Sequence, residues 1–426
     1  MKKFTALLLS IAMVATLCAC GSTADTAATD ATAETAETTE ATETTDAAAT
    51  EAAVTVKAGF ICLHDENSTY DLNFINAAKE ACEKMGIEYV IKTNIPEGQE
   101  CYEAACELAD AGCNFIFADS FGHEDYMIEA AKEYPDVQFC HATGTKAHTE
   151  NVANFHNAFA SIYEGRYLAG IVAGMKLNEM IDAGEITAEE AKMGYIGAYT
   201  YAEVISGYTS FYLGAKSVCP SVTMEVTFTG SWYDETAEKE GANTLINDGC
   251  VLISQHADSM GAPTACETAG VPNVSYNGST ASACPNTFLV SSRIDWQPYF
   301  ELIIRAVKDN NGKIPVDYTG TLATGSVALT SAGKKAPAAG TQAKLDEIKA
   351  KLESGEIKVF DTNTFTVKGE KVTTYLADVD DLGDYVGETE SVKDGYFHES
   401  EYRSAPYFNL EIDGITLLDR GPKTEG

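Results

Sequence analysis

The side chains able to do chemistry in this 426-residue chain gather in short loops. The first loop is His64-Asp65-Glu66-Asn67-Ser68-Thr69-Tyr70-Asp71-Leu72-Asn73-Phe74, and the next is Asp119-Ser120-Phe121-Gly122-His123. Further along come Ala198-Tyr199-Thr200-Tyr201, Gly230-Ser231-Trp232-Tyr233-Asp234, Gln255-His256-Ala257-Asp258-Ser259 and Asn277-Gly278-Ser279. Each loop offers an aromatic ring, a hydroxyl, an amide or a carboxylate. Rings stack on flat heterocycles, while carboxylates and amides accept from and donate to hydroxyl and amino groups. The mixture suits a flat, uncharged, hydroxyl-rich ligand. His256 and Asp258 have the residue types for acid–base work, but no nucleophile motif such as GxSxG accompanies them, and an extracellular nucleoside hydrolase would need turnover. No CxxC or Cys/His pair has metal-ligand spacing, and His64 and His123 read as polar loop residues, so neither a metal nor a cofactor is expected. Gly194-x-x-Gly197 is too sparse for a dinucleotide fingerprint.

The loops follow apolar strands. Val54 to Leu63 reads as a strand, and Phe74, Ala77, Ala78, Ala81, Cys82 and Met85 mark one helix face at 3.6 spacing. Strands at Tyr89–Thr93, Cys113–Ala118 and Val137–Cys140 alternate with helices at Glu100–Ala111 and His123–Glu133. A long helix from Asn157 to Met180 precedes a second round of βα units, with strands near Lys192, Val222, Cys250 and Pro272. The segment Thr287–Ser291 and a helix from Asp295 to Asp309 read as a return into the first lobe. Repeated βα units with apolar strands predict parallel sheets covered by helices on both faces. The expected fold class is therefore α/β, two lobes each built on a parallel sheet. In open sheets of this kind ligands bind beyond the carboxyl ends of the strands, which is where the polar loops lie.

The chain starts with a basic pair, Lys2 and Lys3, an apolar run from Phe4 to Leu17, and then Leu17-Cys18-Ala19-Cys20-Gly21. That is the layout of a secretory signal, with an apolar run too short to span a bilayer. Its end resembles a bacterial lipobox, in which Cys20 is acylated and becomes the new N-terminus. Residues 1–19 are thus expected to be a lipoprotein signal peptide, and 20–53, nearly all Ala, Thr, Asp and Glu, a disordered acidic tether. Lobe 1 is expected over 54–155 with the return segment 287–312, and lobe 2 over 156–286 with 313–330. A C-terminal extension, 331–426, is expected to pack on the lobes, with Gly355–Asp361 as a terminal strand. The net charge of −35 argues against a nucleic-acid partner, because phosphate binding needs clustered Lys and Arg. Ten cysteines follow Cys20, most inside apolar patterns such as GFICL and CNFIF, as small buried hydrophobes are; disulfides stay open.

Four stretches together resemble the basic membrane protein family of substrate-binding lipoproteins, which includes PnrA-like purine-nucleoside receptors of ABC transporters. Tyr70-Asp71-Leu72-Asn73-Phe74-Ile75-Asn76 is similar to the family's Asp-x-Ser-Phe-Asn, with Asn73 in place of Ser and Ile75 in place of Asn. Phe117-Ala118-Asp119-Ser120-Phe121-Gly122-His123 resembles the loop after the third strand. Gly230-Ser231-Trp232-Tyr233-Asp234 resembles the Ser-aromatic-x-Asp-Pro turn, although Glu235 replaces proline. Tyr163-Glu164-Gly165-Arg166-Tyr167-Leu168-Ala169-Gly170 resembles the helix entering the second lobe. The resemblance implies a two-lobed type I periplasmic-binding fold that closes on its ligand and is not an enzyme. It implies a lipid-anchored receptor on the extracytoplasmic face of the cell membrane, delivering a purine nucleoside or nucleobase to an ABC permease and its ATPase. Phe74 and Trp232 would sandwich a base, Asp71 and Asn73 would bond its edge, and Asp234, Asp258 and Asn277 would meet ribose or base donors. Asp119, Ser120, Phe121, Tyr199, His256 and Asp295 complete the candidate set. The alternative is a surface sensor of a small polar solute, coupled to a signalling partner.

Overall fold

The computed structural model describes residues 55–309, 313–379 and 387–420. The signal peptide, Cys20 and the tether lie outside the described residues. The chain first forms β1 (Lys57–Ile61), α1 (Thr69–Met85), β2 (Glu88–Lys92), α2 (Gln99–Asp110), β3 (Phe115–Ala118), α3 (Glu124–Glu133), β4 (Gln138–Ala142), a single turn α4 (Ala147–Glu150) and β5 (Phe155–Ala160). α5 (Ile162–Asp182) leads into β6 (Lys192–Gly197), α6 (Ala202–Val218), β7 (Thr223–Phe228), α7 (Glu235–Asn247), β8 (Leu252–His256), α8 (Gly261–Ala269), β9 (Asn273–Tyr276) and β10 (Phe288–Ile294). Then come α9 (Gln297–Lys308), β11 (Asp317–Gly320), β12 (Val327–Leu329) and α10 (Thr341–Glu353). Short strands β13 (Leu376–Ala377), β14 (Thr389–Glu390), β15 (Val392–Lys393), β16 (Tyr396–Phe397) and β17 (Ile415–Leu417) finish the chain.

Two sheets result, ordered β11-β5-β4-β3-β1-β2 and β12-β10-β9-β8-β6-β7-β17. All pairings in them are parallel except β10 with β12. β1, β3, β4, β5 and β8 are buried almost end to end, as strands covered on both faces must be. α5 and α6 pack so closely that a Cβ on Gly170 would lie 2.0 Å from the carbonyl oxygen of Phe211, and one on Gly214 2.1 Å from that of Tyr167. The two helices therefore need hydrogen at those positions.

The chain passes between the sheets more often than its sequence pattern indicates. β5 occupies residues assigned to the start of the long helix and to the second lobe, yet it pairs with β4 and β11 in the first sheet. β10 belongs to the second sheet, and only the helix after it, α9, returns to pack on α1 in the first lobe. β11 then joins the first sheet and β12 the second, so 313–330 divides between the lobes. Gly355–Asp361 is not a strand beyond an isolated bridge at Asp361. The extension instead docks α10 on α5 and adds β17 parallel to β7. Near the crossings, Ser404 N donates to Asp317 Oδ2 at 2.9 Å and Thr319 Oγ1 to the Ser400 carbonyl at 3.3 Å, while Ser206 Oγ donates to Glu399 Oε1 at 3.3 Å. The extension is thus tied to both lobes. The ten described cysteines are free thiols, nine of them buried. No helix among the described residues is long and apolar enough to cross a membrane.

Candidate functional site

A pocket lies where the carboxyl ends of the two sheets face each other. The first lobe lines it with Leu63, His64, Tyr70, Asp71, Ser120, Phe121 and Thr143, and the second with Glu203, Trp232, His256, Asp258 and Tyr276. The lobes touch across it: the backbone N–H of Thr69 donates to the Asp258 carbonyl at 3.0 Å, and the Phe121 ring lies 5.5 Å from that of Tyr201. The free space is about 20 Å³, room for about one water. This is a closed conformation, with side chains filling the site.

Asp71 is the acceptor best prepared on the first lobe. Ser68 caps α1 by accepting from the Asp71 N–H, and its hydroxyl donates to Asp71 Oδ2 at 2.6 Å. The backbone N–H of His64 donates to Oδ1 at 2.8 Å, and His64 Nδ1 lies 3.4 Å from Oδ2. Burial alone would raise the carboxyl, but the bonds from His64 and Ser68 outweigh it and hold Asp71 below the usual carboxylate range. Asp119 is buried behind it and accepts from Leu63 N at 3.1 Å. Burial, and after it the neighbouring Asp71 charge, push the Asp119 carboxyl well above the usual carboxylate range. Cys62, Asp71 and Asp119 bring ligand atoms within 4.8 Å of one another, the one such trio among the described residues.

On the second lobe, His256 Nε2 faces Glu203 Oε1 at 3.3 Å and its ring lies 4.5 Å from that of Tyr276. Burial keeps the imidazole pKa low, against the pull of Glu203. Asp258 is pushed well up by burial and by the charges of Glu238, Asp71 and Glu203. Asn277 Nδ2 donates to Asp258 Oδ1 at 3.4 Å. Glu238 fixes this loop by accepting from Ser259 N at 3.1 Å, and burial pushes it up to about 7. Beneath the pocket, Arg166 reaches Tyr195 on β6, the Ser254 hydroxyl and Gln255 carbonyl on β8, the Ser275 carbonyl on β9 and Ser292 on β10. One guanidinium therefore pins the ends of the strands that carry His256 and Tyr276. Two residues at the site hold positive φ without being glycine, Thr143 (+65°) and Asn277 (+64°), and for a β-branched Thr that is a strained backbone. The loop that carries Thr143 is held by Glu124, which accepts from Thr145 N, Lys146 N and Asn157 Nδ2 at 2.8–2.9 Å.

The sequence candidates divide accordingly. Asp71, Ser120, Phe121, Trp232, His256 and Asp258 line the pocket; Asp119 and Asn277 back two of them. Tyr199 buttresses Trp232 edge-on, with ring centroids 5.1 Å apart. Four lie elsewhere. Phe74 is 2% exposed and stacks on Trp296 at 4.5 Å inside an aromatic core with Phe117 and Tyr70, so it cannot sandwich a ligand. Asn73 spends its amide on the Ile294 carbonyl at 2.7 Å, at a crossing between the lobes. Asp295, at the same crossing, pairs with Arg293 at 2.9 Å and accepts from Gln297 N. Asp234 is exposed and caps α7, accepting from Thr236 N and Ala237 N. Sequence reasoning did not single out Glu203, Tyr276, Tyr70 or Thr143. Glu203 had a usable signal: it is an acidic residue in the first turn of the helix after β6, at the carboxyl edge of the sheet.

Comparison with known proteins agrees with this architecture. Residues 58–362 match the family model for PnrA-like ABC transporter substrate-binding proteins. A purine-binding protein of Brucella abortus is 31% identical over 357 residues, covering 78% of this chain and 95% of its own. A candidate ABC transporter glucose-binding protein of Haloferax volcanii is 32% identical over 224 residues, 53% of each chain. Among solved structures, an ABC transporter solute-binding protein of Aeropyrum pernix K1 superposes with a TM-score of 0.60 over 72% of this chain and 93% of its own, at 18% identity, a likeness of fold. The chain belongs to the PnrA-like family of ABC transporter substrate-binding proteins.

Proposed function

We propose that this protein captures a purine nucleoside or nucleobase between its lobes for import, anchored to the outer face of the cell membrane through acylated Cys20. Proteins of its family bind small molecules outside the cytoplasm and hand them to a permease driven by an ATPase. The observation that carries the ligand class is the composition of the pocket. It presents the rings of Tyr70, Trp232, His256 and Tyr276 beside the carboxyls of Asp71, Glu203 and Asp258, with no lysine or arginine in its lining. Carboxyl oxygens with no lysine or arginine beside them accept from N–H and O–H donors and offer a phosphate no counter-charge, so the lining favours a neutral, donor-rich heterocycle over a nucleotide. Closure over such a ligand removes it from water and strengthens each bond made. The purine-binding relative, matched along nearly its whole length, supports the same class.

The glucose-binding relative favours a second reading, a sugar as the ligand. A thermal-shift panel of purines, pyrimidines, their nucleosides, hexoses and amino acids separates the two. Stabilisation by purines or purine nucleosides is the expected result. A shift with hexoses alone would overturn the purine assignment and leave the family intact.

A further inference from the structure

The C-terminal segment, beyond the 58–362 match, walls a second chamber against the pocket. The chamber measures about 370 Å³ and shares Phe121, Thr143, Glu203 and Trp232 with the inner pocket, which has about 20 Å³. Sites for small molecules commonly run to several hundred Å³. A ligand whose head enters the inner pocket therefore has its space for growth on the side of the C-terminal segment.

The chamber walls have a definite chemistry. Arg420 clamps Glu411 through both terminal nitrogens, and Glu203 faces His256. Arg403 is held in place by donating to the carbonyls of Ala405 and Pro406 at 3.2 and 3.3 Å. The rings of Tyr201 and Trp232 lie 6.0 Å apart on one side. Tyr208, 1% exposed, lines the chamber and has no hydrogen-bond partner for its hydroxyl among the described residues. The Arg420–Glu411 pair offers donors and acceptors together, Arg403 adds a donor and Glu203 an acceptor, and the ring faces cover C–H surface. Hydroxyl groups, which donate and accept at once, satisfy such walls; a phosphate would meet Glu203, Asp378 and Glu411.

We propose that this chamber is a second ligand subsite, built by the C-terminal segment, for a sugar or polyol substituent carried on the head group in the inner pocket. The assignment rests on the reading of the inner pocket as a base site. Calorimetric titration of the full mature chain, its Tyr208→Phe variant and its Arg403→Gln variant tests it, with adenosine, guanosine, adenine and guanine as probes. Both variants should weaken nucleosides about ten-fold and free bases less than about two-fold. Tyr208→Phe keeps the packing and removes a hydroxyl without a partner, so its melting temperature should equal or exceed that of the parent. Equal weakening of bases and nucleosides, or no change in either, overturns the subsite. If no base or nucleoside binds the parent chain, the base reading falls and titration with ribose, glucose and ribitol decides the chamber. Sugar binding weakened by Tyr208→Phe then supports it; sugar binding that is absent or unaffected overturns it.

Discussion

Thr69 and Asp258 meet across the cleft: the first residue of α1 donates its N–H to a carbonyl on the loop after β8 at 3.0 Å, and the Thr69 hydroxyl reaches the same oxygen at 3.3 Å. The donor is one of the backbone groups that a helix start leaves unpaired. A lobe–lobe bond is thus made at no cost to secondary structure. Because Asp258 also lines the pocket and receives the Asn277 amide, closure and ligand recognition share one loop.

Thr69→Pro isolates that bond. Proline is tolerated at the first position of a helix, and Ser68 before it already has an extended backbone (φ −78°, ψ 129°) that proline allows. The variant removes the donor and sets Cδ against the Asp258 carbonyl. Its melting temperature should hold within a few degrees, while ligand affinity falls about five- to ten-fold through faster release. Stopped-flow dissociation measures this. An unchanged release rate would show that the bond contributes nothing to closure.

Phe74 and Trp232 separate core from site. Phe74→Ala opens a void against Trp296 and Phe117 and should cost about 3–5 kcal/mol of stability by chemical denaturation. Trp232→Ala removes a half-buried ring shared by the pocket and the chamber. It should abolish the ligand-induced thermal shift and leave a folded apo protein. The reverse pattern would return Phe74 to the site.

These two residues also show what the sequence carried. Apolar runs such as Phe115–Ala118 and apolar helix faces such as Ala77, Ala78, Ala81 made the βα alternation legible, because fully covered strands contain little else. β5 escaped notice since His156 and Asn157 interrupt its run; both are buried through specific bonds, His156 to Gln138 and Pro315, and Asn157 to Glu124 and Ala147. The crossings at β10–α9 and β11–β12 are choices of sheet, which no local periodicity encodes. The site loops were visible as polar strand ends. Which of their residues point inward was not: Phe74 fits a ligand-stacking position and a core helix face equally well. Glu203 faces His256, a partner 53 positions away in the chain.

The anchor and the binding fold should be separable. In the proposed anchor Cys20 is the acylated residue, and Ala at that place has no thiol to modify. Cys20→Ala should release the protein from membranes into the medium, with ligand affinity within about two-fold of the parent because the pocket lies wholly in the folded lobes. Fractionation and calorimetry measure the two properties. A variant still in the membrane fraction would overturn acylation at Cys20.

Stability should peak at mildly acidic pH, because two sets of buried groups oppose each other. Burial lowers His123, His141 and His156 from 6.5 to about 4. The unfolded chain takes up those protons first, so their contribution is complete above pH 6.5 and is lost as pH falls toward 4. Burial raises Glu164 and Glu238 from 4.5 to about 7 and Glu399 to about 8. The folded chain holds those protons longer, so their contribution is complete below pH 4.5 and is lost as pH rises through 7 to 8. The melting temperature should therefore be broadly flat between pH 4.5 and 6.5 and fall on either side. Glu399→Gln tests the alkaline limb. Its amide oxygen can still accept from Tyr407 N and Ser206 Oγ, the bonds Glu399 Oε1 makes at 3.1 and 3.3 Å. Only the ionisation is removed, so the variant should match the parent at pH 5 and exceed it by several degrees above the Glu399 titration near 8. Parallel melting curves for the two chains across that range would show that Glu399 titrates alike in the folded and unfolded chain, and would overturn the raised pKa.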